Sequence, residues 1–225
     1  MLSQIPMYVV IVFTLTVILT FIFLAKALHT GAKVVMVLFA WLLLNAVLGW
    51  KGFYAATGAT PPHFALAVAP PLLAILVLHI TTKGKAFLAK AELSILTLLG
   101  IVRIPVELVL FWLYSYKTIP QLMTFEGRNF DIVSGITAIA VFFICFKGKE
   151  VVHKNLLLTW NILGLILLLN IVINAILSVP SPIQQFAFEQ PNIAVLYFPF
   201  IWLPCFIVPA VLLSHIVSLK KLITK

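Results

Sequence analysis

Of 225 residues, 63% are apolar and only 9% carry a charge, against roughly 45–50% and about 25% in a soluble globular domain. That balance excludes an ordinary water-soluble fold. The net charge of +9 does not point to nucleic acid, because the lysines fall in short clusters between apolar runs, and the two cysteines, Cys145 and Cys205, sit inside apolar segments, which argues against a disulfide framework.

Taken in chain order, seven apolar stretches are long enough to be read as membrane spans: Pro6–Ala27, Val34–Trp50, Phe64–Ile80, Leu93–Tyr114, Phe130–Phe146, Asn155–Ser178 and Val195–Ser218. About 20 residues at ~1.5 Å each cross ~30 Å of hydrocarbon. Lipid offers no water to satisfy free backbone groups, so the spans are expected to be helices. The alternation of a membrane barrel is absent. The first span is read as a retained helix. Ala25-Lys26-Ala27 loosely fits a leader-cleavage site, but Met1–Pro6 has no Lys or Arg, and cleavage would invert every later loop.

The connections then divide by charge. Lys26, Lys33, Lys83, Lys85, Lys90, Lys147, Lys149, Lys154, Lys220, Lys221 and Lys225 fall on one side, eleven in all; Lys51, Lys117 and Arg128 fall on the other. Cytoplasmic connections collect Lys and Arg, so the N-terminus is expected outside and the C-terminus in the cytoplasm. The fold expected is an all-α polytopic membrane bundle, one domain over residues 1–225. Leu42-Leu43-Leu44-Asn45 and Leu167-Leu168-Leu169-Asn170, with His79 and His215 closing spans three and seven, allow a parallel 3+1+3 repeat. Trp50, Phe53, Tyr54, Trp112, Tyr114, Tyr116 and Tyr197 gather near the outer boundary as an interfacial belt.

The chemistry concentrates in span four. Arg103 and Glu107 lie four residues apart near its middle and so share a helical face. A charge at mid-bilayer costs roughly 2.5–3.5 kcal/mol on insertion scales, so this face should turn into the bundle. Pro105, with Gly100 nearby, should kink the helix. Asn45, Asn170 and Asn174 fall at comparable depth and can line the same layer, whereas Asn161 falls on the opposite face of its helix. Glu126, Arg128 and Asp131 make the densest charged stretch of the outer loops and can guard a cavity mouth. Asp131 also heads a close-packing face with Ser134, Gly135 and Ala138. Prolines in spans three and seven (Pro70, Pro71, Pro199, Pro204, Pro209) free carbonyls at membrane depth.

No lysine stands at the middle of span seven, which excludes a retinal Schiff base there. No two of the five histidines have metal-ligand spacing, and no cofactor motif is present, so neither a metal nor a cofactor is expected.

Over Val102–Trp112, Leu122–Asp131 and Tyr197–Pro204 the chain resembles a family of uncharacterised bacterial multi-pass membrane proteins. The resemblance implies a bacterial inner membrane and no mechanism. Three functions fit: binding or transport of a small molecule or lipid through an outward-opening cavity built on Arg103 and Glu107; a membrane enzyme acting on a lipid or isoprenoid with Glu107 or Asp131 as acid or base; and a structural or sensory subunit. Membrane lipids are the expected partners, nucleic acid is not, and protein partners are left open.

Overall fold

The structure, a computed structural model, describes residues 4–59 and 61–224. Met1–Ser3, Thr60 and Lys225 lie outside the described residues, and with them part of the leader reading and one lysine of the basic set. Helices dominate: α1 (Met7–Ala27), α2 (Ala32–Trp50), α3 (Ala65–Ile80), α4 (Thr82–Ala89), α5 (Leu93–Leu99), α6 (Arg103–Ser115), α7 (Asp131–Cys145), α8 (Lys154–Leu177) and α9 (Val208–Ile223). A two-residue hairpin, β1 (Phe146–Lys147) and β2 (Glu150–Val151), joins α7 to α8.

Five of the helical stretches are long and apolar enough to cross a membrane: α1, α2, Leu93–Ser115, α8 and Leu203–Ile223. The α3–α4 pair passes the same test together but bends by 90° at Thr81. The outward faces form a continuous apolar belt, for example Ile11, Leu15, Ile18 and Ile22 on α1, or Val133, Ile136, Ile139 and Phe143 on α7. Exposed apolar faces on helices of this length suit a membrane-like helical bundle.

α5 and α6 form one continuous span through a 3-10 turn at Gly100–Val102. The turn has a local cause: Pro105 has no N–H to give the Ile101 carbonyl. This span is the central one, packed by α1, α7 and α9. Two expectations are corrected. The seventh span was expected over Val195–Ser218, but its regular helix begins at Val208, after a π-type turn at Leu203–Ile207, and runs to Ile223. Pro199, Pro204 and Pro209 each remove a helix donor, which delays the start. Pro209 also strands the Cys205 carbonyl, and the Trp41 indole donates to it (3.0 Å), while Trp202 donates back to Leu42 O (2.9 Å). The second correction is α4, an eight-residue helix where the sequence suggested only a basic connection. Thr81 starts it, its hydroxyl accepting from Gly84 N at 3.1 Å.

The basic connections meet at one end of the bundle, called here the basic end. Lys221 donates to the carbonyls of Ala89 and Ala91. Glu92 N–H donates to Ala27 O (2.8 Å), and the Glu92 carboxylate accepts from Lys149 Nζ and Ser94 Oγ, both at 3.0 Å. The Lys149 hydrogen bond holds the Glu92 carboxyl below its ordinary 4.5. A depressed carboxyl adds stability above its unfolded value, and that contribution fades as pH falls through the folded value. Lys149 is 76% exposed, which limits the pair to about 0.2–1 kcal/mol. Acidification below pH 4.5 should therefore lower the unfolding midpoint of the detergent-solubilised protein by about 1–3 °C. In Glu92→Gln that step should vanish from thermal scans taken on either side of it.

Candidate functional site

Arg103 stands midway along the Leu93–Ser115 span and is only 2% exposed. A guanidinium at that depth needs polar partners; the two terminal nitrogens of Arg103 find them, while its Nε is buried without one. Its Nη1 lies 3.1 Å from Asp131 Oδ1, an ion-pair contact bent away from hydrogen-bond geometry. Its Nη2 donates to Gly164 O (3.1 Å) and to His215 Nε2 (2.9 Å). Arginine has no acceptor, so His215 Nε2 must accept, and the ring's proton sits on Nδ1, which donates to Asn161 Oδ1 at 2.9 Å. Asn161 Nδ2 in turn donates to Leu157 O (2.8 Å). The chain of contacts ties α6, α7, α8 and α9 around one cation.

Glycines make the room. A Cβ on Gly164 would stand 2.7 Å from His215 Cε1 and 2.9 Å from Ser134 Oγ. One on Gly135 would stand 2.9 Å from the Ile104 side chain and 3.1 Å from Arg103 Cβ.

The carboxylate paired with Arg103 is Asp131, not Glu107. Sharing a helical face puts Arg103 and Glu107 side by side, but α7 delivers Asp131 to the guanidinium from across the interface. Glu107, one turn further on, accepts instead from Asn129 Nδ2, which also donates to Met123 O (3.0 Å). Its second oxygen, Oε2, is buried with no partner.

Asp131 begins α7 at the depth of mid-α6. The connection from Tyr116 to Phe130 therefore turns back into the bundle and buries Ile119, Met123, Thr124 and Asn129. Its polar backbone has to be satisfied there. Thr118 O accepts from Ile193 N and Ala194 N (3.0 Å each), Ile119 O from Gln190 Nε2 (2.6 Å), and Arg128 O from Asn170 Nδ2 (2.8 Å). These bonds lock the two long loops together as a cover over the polar cluster.

Beneath that cover is a cavity of about 80 Å³. Its polar lining is Arg103, Glu107, Asp131 and Asn192; the rest is apolar, from Phe64 and Val68 near the start of α3 to Ile171, Val172, Ala175 and Ile176 on α8. Asn192 donates to Ala175 O (3.2 Å) and leaves Oδ1 buried and unpartnered.

Of the residues singled out in the sequence, Arg103, Glu107 and Asp131 converge. Asn174 donates to Asn170 O (3.0 Å), and the two support the Arg128 carbonyl beside the cluster. Asn45 lies elsewhere, accepting from Tyr54 Oη (2.7 Å) and donating to Trp41 O (2.8 Å). Glu126 and Arg128 are exposed, with the Arg128 guanidinium 5.9 Å from the Phe186 ring. Sequence reasoning gave no site role to His215, Asn129 or Asn192 and set Asn161 aside as lying on the opposite face of its helix. One signal was available: Asn161 and His215 are polar groups in otherwise apolar spans, and such groups pair. Among the described residues no cluster of His, Cys, Asp or Glu is placed to hold a metal.

Fold and site define a polytopic, membrane-like helical protein with a caged arginine at its centre. The chain belongs to the family described as a domain of unknown function, DUF8737, whose model matches residues 60–223. The match contains the whole polar cluster; α1 and α2 precede it. Neither a curated protein nor a solved structure matches the chain.

Proposed function

We propose that this is a seven-span bacterial inner-membrane protein, N-terminus outside and basic end in the cytoplasm, that binds or transports a small amphipathic molecule or lipid at the caged arginine. In this reading α3 with α4, and the short α7, complete the count of seven. The fifteen residues of α7 reach only about 22 Å, and the buried loop ahead of Asp131 makes up the remaining depth. The eleven-to-three split of basic residues supports the orientation. The 3+1+3 repeat rests on the paired Leu-Leu-Leu-Asn segments and is not required.

The single observation that carries the reading is a cavity whose polar lining holds buried atoms without hydrogen-bond partners, acceptors on Glu107 (Oε2) and Asn192 (Oδ1) and a donor on Arg103 (Nε) among them. A cluster that only held helices together would be satisfied internally, because an unpaired buried polar atom costs about 1–3 kcal/mol. A second reading, an enzyme acting on a lipid or isoprenoid, uses the same Glu107 oxygen as proton acceptor.

The test fills the cavity. Ala175→Phe should insert and stay folded yet lose any amphiphile that co-purifies with the wild type, read by mass spectrometry of organic extracts. Equal extracts from both proteins would sink the binding reading.

A further inference from the structure

A second groove shares no lining residue with the cavity at Arg103. It exists because α2 is pinned to the bundle only in its second half. There Trp41 donates to Cys205 O, Trp202 donates to Leu42 O, and Gly49 lies close against Ile201 and Phe198. The first half of α2, residues 32–40, has no buried residue. Beside it runs a groove of about 470 Å³, walled by the ends of α1 and α2 and by α3, α4 and α9. That volume lies within the ~300–1,000 Å³ of small-molecule pockets.

The walls say what kind of group fills it. Every lining side chain is aliphatic or aromatic except the Cys205 thiol, a weak donor. The indole N–H of Trp41 is already spent on Cys205 O. A polar group placed here would lose its water and gain no partner; a hydrocarbon chain loses nothing.

At the basic end the groove runs on into a smaller basin of about 180 Å³. The same elements wall both. Leu213 borders the groove, and Val217 and Lys220, one and two turns further along α9, border the basin; Leu78 and Phe87 border the groove, and their neighbours His79 and Leu88 the basin. Lys85, Lys220 and Lys221 all line the basin, with no Asp or Glu. Lys221 is engaged by the carbonyls of Ala89 and Ala91. Lys85 and Lys220 are exposed and have no ion-pair partner among the described residues. Glu92 and Glu150 line a separate recess. His79 Nδ1 donates to Ile75 O (2.8 Å), which leaves Nε2 of the neutral ring as a buried lone pair without a partner. It can accept from a head-group hydroxyl and carries no charge against an anion. Basin and groove together therefore match one chemistry, a negative head on a hydrocarbon chain.

We propose that the groove and its basin bind an anionic phospholipid from the leaflet at the basic end. One acyl chain lies along α2, α3 and α9, and the phosphate sits between Lys85 and Lys220. The inference needs the membrane setting alone and does not rest on the caged-arginine reading.

The test uses the full-length protein, stripped of lipid in detergent. Phosphatidylglycerol and phosphatidylcholine of identical chains are titrated in, and bound lipid is counted by native mass spectrometry. Phosphatidylglycerol should bind about tenfold tighter, the scale set by lysines near an anionic head. Lys85→Gln combined with Lys220→Gln should bring the two lipids level. Lys147→Gln combined with Lys154→Gln removes the same charge from exposed lysines outside the basin and should keep the preference. Ala74→Phe, at an exposed position of the groove wall, should weaken both lipids. Unfolding midpoints are measured in parallel, and the exposed lysine pairs carry the test if Ala74→Phe misfolds. Equal affinity for the two lipids, or equal effects of the two lysine pairs, would mean general attraction to a basic surface and overturn the site. Inorganic phosphate bound as tightly as phosphatidylglycerol, or a folded Ala74→Phe protein with wild-type lipid affinity, would overturn the lipid as occupant.

Discussion

Arg103→Met should destabilise the protein by about 3–5 kcal/mol, the range for removing one partner of a buried ion pair. The side chain replaced is 2% exposed and serves three partners. Its loss leaves the Asp131 carboxylate buried opposite thioether and hydrocarbon, and leaves His215 Nε2 with no donor. Replacing Asp131 by Leu should be comparably damaging, since the guanidinium is then the uncompensated charge. Reversible unfolding by SDS in mixed micelles reads both losses. Glu107→Leu should be milder, because Asn129 keeps the Met123 carbonyl as acceptor and one of the two Glu107 oxygens is already unpaired.

Gly164→Ala is the second large effect, and its sign is set by two opposing magnitudes. Alanine is favoured over glycine inside a helix by about 0.8–1.0 kcal/mol. Against that, the new methyl would stand 2.7 Å from His215 Cε1 and 2.9 Å from Nε2. The ring cannot swing aside without releasing Arg103 or Asn161, since both its nitrogens are bonded. Overpacking of this kind costs about 1–3 kcal/mol, so the net effect is destabilising. Gly58→Ala is the control: nothing lies within 4 Å of its added carbon, and its unfolding midpoint should match the wild type or rise slightly. A Gly164→Ala protein as stable as that control would mean α8 does not press on His215.

What could be read from the sequence follows the strength of each local signal. α1 and α8 were legible almost to the residue because uncharged runs of that length have one physical outcome in a membrane. α4 was not, since eight residues carrying Lys83 and Lys85 show no apolar run, and only its bend at Thr81 makes it a helix of its own. The loop around Asn129 read as a charged outer stretch guarding a cavity mouth because its composition is polar. Its burial is enforced by Asn170 and Gln190, partners 42 and 71 residues from the carbonyls they bond. For the same reason Arg103 was legible as a group that must face inward while its partner was not. Spacing along one helix nominated Glu107, and only the packing of α7 on α6 brings Asp131 within 3.1 Å. Asn161 was set apart because it lies on the face opposite Asn170, yet that face meets His215, which joins Asn161 to Arg103.

The most direct measurement is the coupling energy between Arg103 and Asp131 from a double-mutant cycle. Arg103→Met, Asp131→Leu and the combined variant are unfolded by SDS beside the wild type. A pair caged inside the bundle predicts that the double variant recovers about 2–3 kcal/mol relative to the sum of the single losses, as expected when two buried charges are removed together. Strictly additive losses would place the two side chains out of contact and contradict the cage.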